Sequence, residues 1–398
     1  MEARSPTSTF AVDDAYRQAL VETARAHGFP TLLDTERLGP MLERLSQVYN
    51  LSDGKEAAKL LPARLAFSFP RDVPKGHAAV RELVAAKALV PERDRAFRLL
   101  DVGAGLGAMT HGVVRALATA EPAHQVPAFA VEAVWVDTDR AAMELGLELT
   151  NRMFPAAESS GVNLQVRLEK GSAAGATRVK GPFDLIVCGQ VMSEMDAEME
   201  PEARVAHHAA WLTDLSKLLT PSGSLVVVEP ALAVRTRHLH AVRDALLGSK
   251  LTVFAPCLHR EPCPALAHPH DWCHEDLPTD LPEWLAPLAR AAGLRWQGLT
   301  FSYLVLRTDG LTLRAASGRQ LRVTSSLLKS KGKTEIFLCG EHADGIARGK
   351  ARLLDREHAP GNAPFAEAER GDLLSLSPPL ACAGRVGKDT RVECTRYR

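Results

Sequence analysis

The sequence predicts an α/β protein whose core is a doubly wound parallel sheet, and three observations support this prediction. From Phe97 onward, short apolar runs of the kind found in buried strands alternate with segments of helical periodicity. The first run, "FRLLDV", leads through a glycine turn, "GAGLGA", into the amphipathic segment "MTHGVVRALATA". A chain of 398 residues with 46% apolar content is also long enough to bury cores in two or three domains.

Composition and pattern divide the chain into five segments. These are an N-terminal helical region (1–87), the sheet core (88–250), a cysteine-rich segment with the last core strand (251–310), a small basic β-domain (311–380) and a basic tail that we expect to be mobile (381–398). In the first segment, "AVDDAYRQALVETARAHG" and "DTERLGPMLERLSQVYN" carry apolar residues at helical spacing, and each opens with an aspartate suited to cap a helix. We interpret the charged residues that follow as a solvated helix face; they are Arg64, Arg71, Asp72, Lys75 and His77.

Charge balance and hydropathy exclude several classes of partner. With 48 basic and 48 acidic residues, the chain has no overall attraction to nucleic acid or to a membrane surface, so any such attraction must be local. No apolar run approaches the roughly twenty residues of a membrane span, so we expect a soluble protein without a membrane partner. The start, "MEARSPTSTFAVDDAYRQ", has no signal-peptide core and carries acids that a transit peptide avoids. We therefore expect a cytoplasmic protein, and we expect it to be a monomer.

The glycine turn after the first strand predicts a ligand site. Gly103, Gly105 and Gly107 allow the backbone to bend sharply out of the strand and to approach a ligand, with the free amides of a helix N-terminus just behind. The second strand, "VEAVWVD", ends in Asp137, whose carboxylate can accept both hydroxyls of a ribose. Gln190 and other polar residues follow the fourth strand in "PFDLIVCGQVMSEM", at the edge where open sheets bind their ligands.

The spacing of these glycines resembles the motif of class I methyltransferases, which bind S-adenosylmethionine on a Rossmann-like sheet. The pattern is G-x-G-x-G, whereas a dinucleotide site uses G-x-G-x-x-G. The resemblance implies that Asp101 and the glycine loop face the methionine part, that Asp137 faces the ribose, and that Ser172 stands where many such enzymes carry an acid for adenine. A nicotinamide or flavin dinucleotide and an unliganded turn are the alternatives. The implied cofactor-binding residues are Asp101, Gly103, Ala104, Gly105, Gly107, Asp137, Thr138, Ser172 and Gln190.

The residues after the fourth strand do not commit the chain to one reaction. Enzymes that methylate amino groups usually carry an Asn/Asp-Pro-Pro-aromatic run there, and cytosine C5 enzymes carry a nucleophilic cysteine after a proline. This chain has "CGQVMSEM" instead. Gln190 and Glu194 are the catalytic candidates, together with Ser193, because they could orient an acceptor or act as a base. Glu194 could equally cap the following helix.

Seven cysteines, an odd number, favour metal or cluster ligands over a disulfide framework in a reducing compartment. Cys257, Cys263 and Cys273 lie in "FAPCLHREPCPALAHPHDWCHEDLP", and Cys339 follows far along the chain in "EIFLCG". Four thiolates fit tetrahedral zinc or a four-iron cluster equally well on chemistry alone. A Cys₃His site is also open, with His259, His268, His270 or His274 as the fourth ligand. Ordinary free thiols are the interpretation for Cys188, Cys382 and Cys394.

The segments "APCLHREPCP", "DWCHEDL", "FSYLVL" and "LKSKGKTEIFLCG", with "VMSEM" and "VVVEPA" upstream, resemble the small-ribosomal-subunit methyltransferase-like family from about Leu61 to Leu376. Mitochondrial members of that family are ribosome assembly factors. The resemblance implies a [4Fe–4S] cluster on Cys257, Cys263, Cys273 and Cys339, which favours iron–sulfur over zinc. Four protein ligands leave no iron open for radical chemistry, so such a cluster would be structural or a sensor. The implied partners are the small ribosomal subunit and its rRNA.

The C-terminal part predicts a phosphate-binding surface. Its short strands "RQLRVTS", "KTEIFLCG", "GKARLLD" and "GDLLSL" alternate with turns, and the stretch from Arg307 to Arg352 holds ten basic residues against four acidic ones. A solvated basic surface without a partner is the alternative. Two function hypotheses follow: an rRNA methyltransferase, or a non-catalytic assembly factor that uses S-adenosylmethionine and the cluster as structural or regulatory ligands.

Overall fold

The computed structural model describes residues 12, 14–50, 54–92, 94–119, 129–154, 161–277, 279, 281–294, 298–313 and 319–397 of the chain. The chain divides into two compact units. Unit 1 comprises Met1–Glu229 and Pro278–Leu299, and unit 2 comprises Pro230–Leu277 and Thr300–Arg398. Within the described ranges, no helix is long and apolar enough to cross a membrane.

Helices supply the N-terminal part of unit 1 and the connections of its sheet. Asp34 caps the second helix as expected, because its carboxylate accepts a hydrogen bond from the backbone N–H of Arg37 at 3.0 Å. Asp13, a candidate cap for the first helix, lies outside the described residues. Among the described residues, the α-helices are α1 (Asp14–Ala26), α2 (Thr35–Asn50), α3 (Gly54–Ala57), α4 (Leu61–Ala63), α5 (Phe69–Ala85), α6 (Ala108–Thr119), α7 (Arg140–Met153), α8 (Pro201–Ser216), α9 (Ala233–Ala245), α10 (Leu285–Ala291) and α11 (Ala363–Ala366).

A parallel sheet forms the centre of unit 1, with the strand order β3-β2-β1-β4-β5. This is the doubly wound order, which brings the carboxyl ends of all five strands to one edge. The predicted fold class, an α/β protein built on a Rossmann-like, doubly wound sheet, is confirmed by this strand order. The strands of unit 1 are β1 (Phe97–Val102), β2 (Phe129–Asp137), β3 (Val162–Lys170), β4 (Phe183–Gly189) and β5 (Leu219–Glu229).

Unit 2 contains the cysteine-rich segment and a second, mostly antiparallel sheet. In the first part, β6 (Thr252–Ala255) is antiparallel to β8 (Leu299–Arg307), with which β7 (Glu275–Leu277) also pairs. The second sheet has the order β14-β12-β11-β9-β13-β15, and β10 pairs with β11. Its strands are β9 (Gln320–Val323), β10 (Leu328–Ser330), β11 (Lys333–His342), β12 (Gly345–Leu354), β13 (Leu373–Ser377), β14 (Arg385–Val386) and β15 (Arg391–Thr395).

Two local expectations were wrong. The basic tail is not a mobile extension, because β15 pairs with β13 over five residues and Val392 is buried in the core of the second sheet. In the second case, the Pro-Ser-Gly sequence of "LLTPSG" is typical of a turn after a helix end, but most of this stretch belongs to β5, which begins at Leu219. The alternation of Val392 and Cys394 with polar neighbours is a strand pattern, and the high charge of the tail concealed it.

Candidate functional site

The glycine turn of unit 1 leaves β1 at the carboxyl edge of the sheet. Gly103, Gly105 and Gly107 all have positive φ values, of 73°, 52° and 81°. A Cβ at Gly107 would lie 2.1 Å from the buried ring of Trp135, so this glycine is needed for packing. A Cβ at Gly105 would meet only a guanidinium nitrogen of Arg64, at 3.0 Å, which leaves Gly105 as the position where a ligand can approach the backbone.

Asp137, at the end of β2, lies beside this turn. One carboxylate oxygen accepts a hydrogen bond from the backbone N–H of Gly105 at 2.8 Å, and the other accepts one from the N–H of Asp139 at 2.8 Å. The side chain is half-buried, and each oxygen keeps a lone pair for a further donor. The structure therefore brings together Asp137, which was predicted to bind the ribose, and the predicted glycine loop.

Asp101, at the end of β1, is fully buried. One oxygen accepts hydrogen bonds from the backbone N–H and the hydroxyl of Thr110, at 3.0 and 2.7 Å. Its other oxygen, Oδ1, has no partner among the described residues. Burial raises the pKa of Asp101 to about 7, with a further increase from the nearby charge of Asp137, while the bonds from Thr110 act in the opposite direction. This carboxyl group holds the start of α6 and keeps one oxygen available.

The remaining predicted cofactor residues have different environments. Ala104 is buried, and its N–H donates to the carbonyl of Val136 at 3.3 Å as part of the turn. Thr138 is exposed beside Asp137. Ser172 is also exposed, and its hydroxyl accepts from the N–H of Gly175 at 3.2 Å, so it supports the short 3₁₀ turn Ala174–Arg178.

Gln190 follows β4 in a left-handed conformation, with φ at 60°, and its side-chain amide donates to Asp72 at 2.7 Å. The hydroxyl of Ser193 donates to the carbonyl of Gln190 at 3.3 Å. Glu194 is exposed in the turn that follows. It does not cap the next helix, because α8 begins at Pro201 with Glu200 at its N-cap. The structure thus turns Gln190 toward α5 and leaves Glu194 near solvent.

Helix α5 contributes a buried charged cluster that the sequence analysis did not identify. The interpretation of a solvated helix face was wrong, because Asp72, Lys75 and His77 are 6%, 5% and 4% exposed and Arg64 is 9% exposed. Lys75 Nζ lies 2.8 Å from Asp72 Oδ1, and Arg71 Nε lies 3.0 Å from the same oxygen. The opposite signs of Asp72 and Lys75 at three-residue spacing were the available signal, because that spacing places both side chains on one helix face.

The electrostatics of the cluster follow from its burial. Burial lowers the pKa of Lys75 to about 8, although the charge of Asp72 opposes this effect. Burial acts to raise the pKa of Asp72, but the charges and hydrogen bonds of Arg71 and Lys75 outweigh it and hold that pKa well below its ordinary value. Closer to the glycine turn, the guanidinium of Arg64 forms an ion pair with Asp139.

In unit 2, the four predicted ligand cysteines line one cavity. Cys257, Cys263 and Cys273 come from the cysteine-rich segment and Cys339 comes from β11. The cavity has a volume of about 40 Å³, which is more than the roughly 10–15 Å³ that one water molecule requires. Sequence positions that are far apart in the chain are therefore brought to a single small space within unit 2.

The thiols of this cavity influence one another. Burial raises the pKa of Cys263 to about 11 and that of Cys273 to about 12, and the nearby Cys257 raises both further. Burial also raises the pKa of Cys339 well above its usual value, and the other three cysteines contribute in the same direction. Such thiols stay protonated at neutral pH until a metal or a positive charge replaces the proton.

Histidines also reach the cavity, but only two of the four alternative ligands do so. His259 and His274 line it, whereas His268 and His270 are exposed at other positions. Cys339 Sγ lies 3.9 Å from His259 Nε2. Among the described residues, no three Cys, His, Asp or Glu side chains are arranged closely enough to hold one metal ion. The remaining cysteines do not line the cavity; they are Cys188, Cys382 and Cys394.

Arginines hold the backbone of the cysteine-rich segment. Arg243 on α9 donates to the carbonyl of His259 at 2.7 Å, and its neighbour Asp244 accepts from the N–H of Cys263 at 2.8 Å. Arg237, nearly two helical turns earlier on α9, donates to the carbonyls of His268 and Asp271 at 2.8 and 2.6 Å. Arg243 Nε, His240 Nδ1 and His274 Nδ1 are buried without a partner among the described residues, and all three side chains line the cavity.

The basic surface of the second sheet is smaller than the sequence count indicated. Arg307 and Arg322 are buried, at 2% and 3% exposure, and Arg348 forms an ion pair with Asp271. Arg314 lies outside the described residues. Arg307, Arg322 and Arg348 therefore contribute to internal contacts and not to an open surface.

Five basic residues of β10, β11, β12 and their turns remain at or near the surface. They are Lys329, Lys331, Lys333, Lys350 and Arg352. Glu335 neutralises part of this set, because it lies 2.9 Å from both Lys333 and Arg352. Lys350 and Arg352 alternate on β12, which places them on one face of the sheet.

Comparison with known proteins finds one family and several distant folds. A model of the family described as mitochondrial small ribosomal subunit Rsm22 matches residues 66–349, which is more than half of the chain. Among curated proteins, no sequence matches significantly.

The structural neighbours include a precorrin 8w decarboxylase from Methanobacterium thermoautotrophicum, at 19% identity over 44% of this chain and 73% of that chain, with a TM-score of 0.26. A methyltransferase homologue from Pyrococcus horikoshii has 15% identity over 57% of this chain and 66% of that chain, with a TM-score of 0.32. A methyltransferase from Pyrococcus furiosus has 14% identity over 57% and 81%, with a TM-score of 0.30. Nothing about substrate or cofactor follows from neighbours at these scores.

Proposed function

The chain belongs to the family of the mitochondrial small ribosomal subunit protein Rsm22, and from this premise we propose that it binds S-adenosylmethionine and acts on the small ribosomal subunit during assembly as an rRNA methyltransferase. The resemblance to a small-ribosomal-subunit family is confirmed by the match over residues 66–349. The cofactor, the reaction and the RNA target are parts of the proposal.

The observation that carries the proposal is the pairing of Asp137 with the open glycine Gly105. Asp137 has lone pairs for ribose hydroxyls, and Gly105 leaves space over the backbone within hydrogen-bonding distance of that carboxylate. Charged hydrogen bonds of this kind are worth roughly 1.5–3 kcal/mol. The residues present therefore fit an adenosine-containing cofactor held across the ends of β1 and β2.

For the reaction, bound S-adenosylmethionine would supply an electrophilic methyl group, and the chain's own residues would orient the acceptor. The positions open to an acceptor lie after β4, where Gln190 stands beside Asp72 and Lys75. A base for the acceptor proton must come within hydrogen-bonding reach of it, and Glu194 is exposed in the same turn. We place Gln190 as an orienting group and Glu194 as the candidate base.

The test is methyl transfer from labelled S-adenosylmethionine to immature small ribosomal subunits. Wild-type protein should label the rRNA, and Asp137→Ala should bind the cofactor roughly ten- to a hundredfold more weakly and label it correspondingly less at limiting cofactor. Calorimetry with S-adenosylhomocysteine measures the affinity separately. Failure of the wild-type protein to bind this product would remove the cofactor assignment.

A non-catalytic assembly factor is the second candidate, and the contacts after β4 favour it. The amide of Gln190 is already bonded to Asp72, and the hydroxyl of Ser193 is bonded to the backbone. Arg204 holds the same turn through the carbonyls of Met192 and Met195 at 2.9 and 2.6 Å. Binding of S-adenosylhomocysteine without methyl transfer to any assembly intermediate would select this candidate.

We also propose that Cys257, Cys263, Cys273 and Cys339 hold a [4Fe–4S] cluster, with zinc as the alternative. Support comes from their position around one cavity and from the buried, partnerless Arg243 Nε–H beside it, which could donate to sulfur. When bound, such a cluster would supply a structural link or a response to oxidation. Anaerobically purified protein should then be brown and contain about four irons and four sulfides per chain, whereas zinc would leave it colourless.

The surface proposed to contact rRNA is the face of β12 with Lys350 and Arg352, together with Lys329 and Lys331. Its charge is local, which agrees with the neutral balance of the whole chain. Phosphate contacts make affinity fall with salt, so the slope of log affinity against log salt measures how many such residues contribute. The cytoplasmic location and the monomeric state stay predictions from the sequence.

A further inference from the structure

Helix α5 buries a lysine ammonium group beside the end of β4. Lys75 is 5% exposed, and its Nζ donates to Asp72 Oδ1 at 2.8 Å. An ammonium group has three N–H donors. Within the described part of the chain, the Lys75 ammonium group has Asp72 as its only hydrogen-bonding partner, so two of the three N–H donors remain unused.

The carboxylate of Asp72, by contrast, has no lone pair left for a further hydrogen bond. Asp72 Oδ1 accepts hydrogen bonds from Lys75 Nζ and Arg71 Nε. Its other oxygen, Oδ2, accepts from Arg71 Nη2 at 3.2 Å and from the side-chain amide of Gln190 at 2.7 Å. Three donor side chains therefore share one carboxylate, and the local charge of Arg71, Asp72 and Lys75 is positive. Glu229 at the end of β5 adds a weaker attraction to Lys75. A buried cation with unused donors is costly unless an anion completes it.

The location of this ammonium group indicates which anion it would bind. A Cβ at Gly103 would lie 2.9 Å from the side chain of Val191, so the glycine turn touches the residues after β4. Asp137 stands at the end of β2, and the order β2-β1-β4 separates the two tips by two strand spacings, about 10 Å. A cofactor whose ribose binds Asp137 and which crosses the glycine turn ends beside Gln190 and Lys75.

We propose that Lys75 binds the carboxylate of the amino-acid part of S-adenosylmethionine, an inference that rests on the proposed function. Lys75 donates its two unused N–H groups to this carboxylate, and Asp72 holds the ammonium in position. Arg71 and Gln190 fix Asp72 from the other side. The residue is thus a cofactor-binding residue of α5, outside the glycine motif.

The experiment compares two ligands on matched variants by calorimetry. The ligands are S-adenosylhomocysteine and its decarboxylated analogue, 5′-S-(3-aminopropyl)-5′-thioadenosine. The variants are Lys75→Met, which removes the charge, Lys75→Arg, which retains it, and Lys217→Met as a control. Lys217 is an exposed lysine that caps the C-terminus of α8 and pairs with Asp214 at 2.7 Å. Asp72 keeps Arg71 and Gln190 in Lys75→Met, so we expect this variant to fold.

Wild-type protein and Lys217→Met should bind S-adenosylhomocysteine roughly ten- to a hundredfold more tightly than the analogue. Lys75→Met should bind both ligands equally, at the affinity that wild-type protein has for the analogue, and Lys75→Arg should recover part of the preference. Equal affinities of wild-type protein for the two ligands would overturn the inference while leaving the cofactor assignment intact, whatever the variant's stability. If wild-type protein binds neither ligand, the proposed function and the inference fail together.

Discussion

Two alanine substitutions in the glycine turn separate ligand binding from folding. In Gly105→Ala, the new methyl group meets only the end of the flexible Arg64 side chain, at 3.0 Å. The positive φ of 52° costs about 1–2 kcal/mol of folding free energy for a residue with a Cβ. The methyl group occupies the space over the backbone where the ligand approaches, and such overfilling costs about 1–3 kcal/mol, or roughly a 10- to 100-fold loss of affinity.

In Gly107→Ala, we expect the main loss to be in folding free energy and not in ligand affinity. Its methyl group would lie 2.1 Å from carbon atoms of Trp135, whose ring is fully buried and whose Nε1 donates to Thr110 at 2.8 Å. The ring cannot move without breaking this bond, so we expect a loss of more than about 4 kcal/mol and little soluble protein. Urea denaturation and calorimetry with S-adenosylhomocysteine measure both effects. Wild-type affinity in Gly105→Ala would refute the ligand position, and a stable Gly107→Ala would refute the packing argument.

Three further predictions follow from other groups. The pKa of Asp101 rises from 3.8 to about 7 on folding, so the stability that its protonated form contributes is complete below pH 4 and is lost as the pH rises through 7. Asp101→Asn lacks this titration. In urea titrations, the free energy of unfolding of the variant relative to wild type should therefore increase by up to about 4 kcal/mol over this pH range and then level off. Cys339→Ser should lose iron and the absorption near 400 nm, whereas Cys188→Ser should retain both, and the reverse result would overturn the ligand assignment. Neutralising Lys350 with glutamine should reduce the salt slope of RNA binding by about one, and an unchanged slope would remove this residue from the surface.

Much of the fold of unit 1 was predictable because its signals are local. The run "FRLLDV" corresponds to β1 at both ends, and the three glycines, at which a sharp bend was predicted, have positive φ values. Each of these signals depends on residues next to one another in the chain. The position of Asp137 beside the glycine turn was also predictable, because parallel strands bring their carboxyl ends to one edge.

The cluster on α5 was not predictable in the same way. Helical periodicity places Asp72 and Lys75 on one face, but it does not tell whether that face contacts solvent or protein. The partner that decides this, Gln190, is 118 residues away. For the tail, too, the deciding contact is a distant strand, since β15 is stabilised by its pairing with β13.

The cysteine-rich segment shows how much of a site can be set by residues that are not its ligands. The four thiols were predicted as ligands from the family resemblance, but nothing in the cysteine spacing indicated that arginines on α9 bind the intervening carbonyls. Arg348 lies opposite Cys339 in the pairing of β12 with β11, and its ion pair with Asp271 fastens the segment two residues before Cys273. These bonds need no metal, so the backbone around the cavity is held before a cluster binds. The binding energy of the proposed cluster would then serve to replace the thiol protons, including those of Cys263, Cys273 and Cys339, whose pKa values burial has raised, and less of it would be required for ordering the chain.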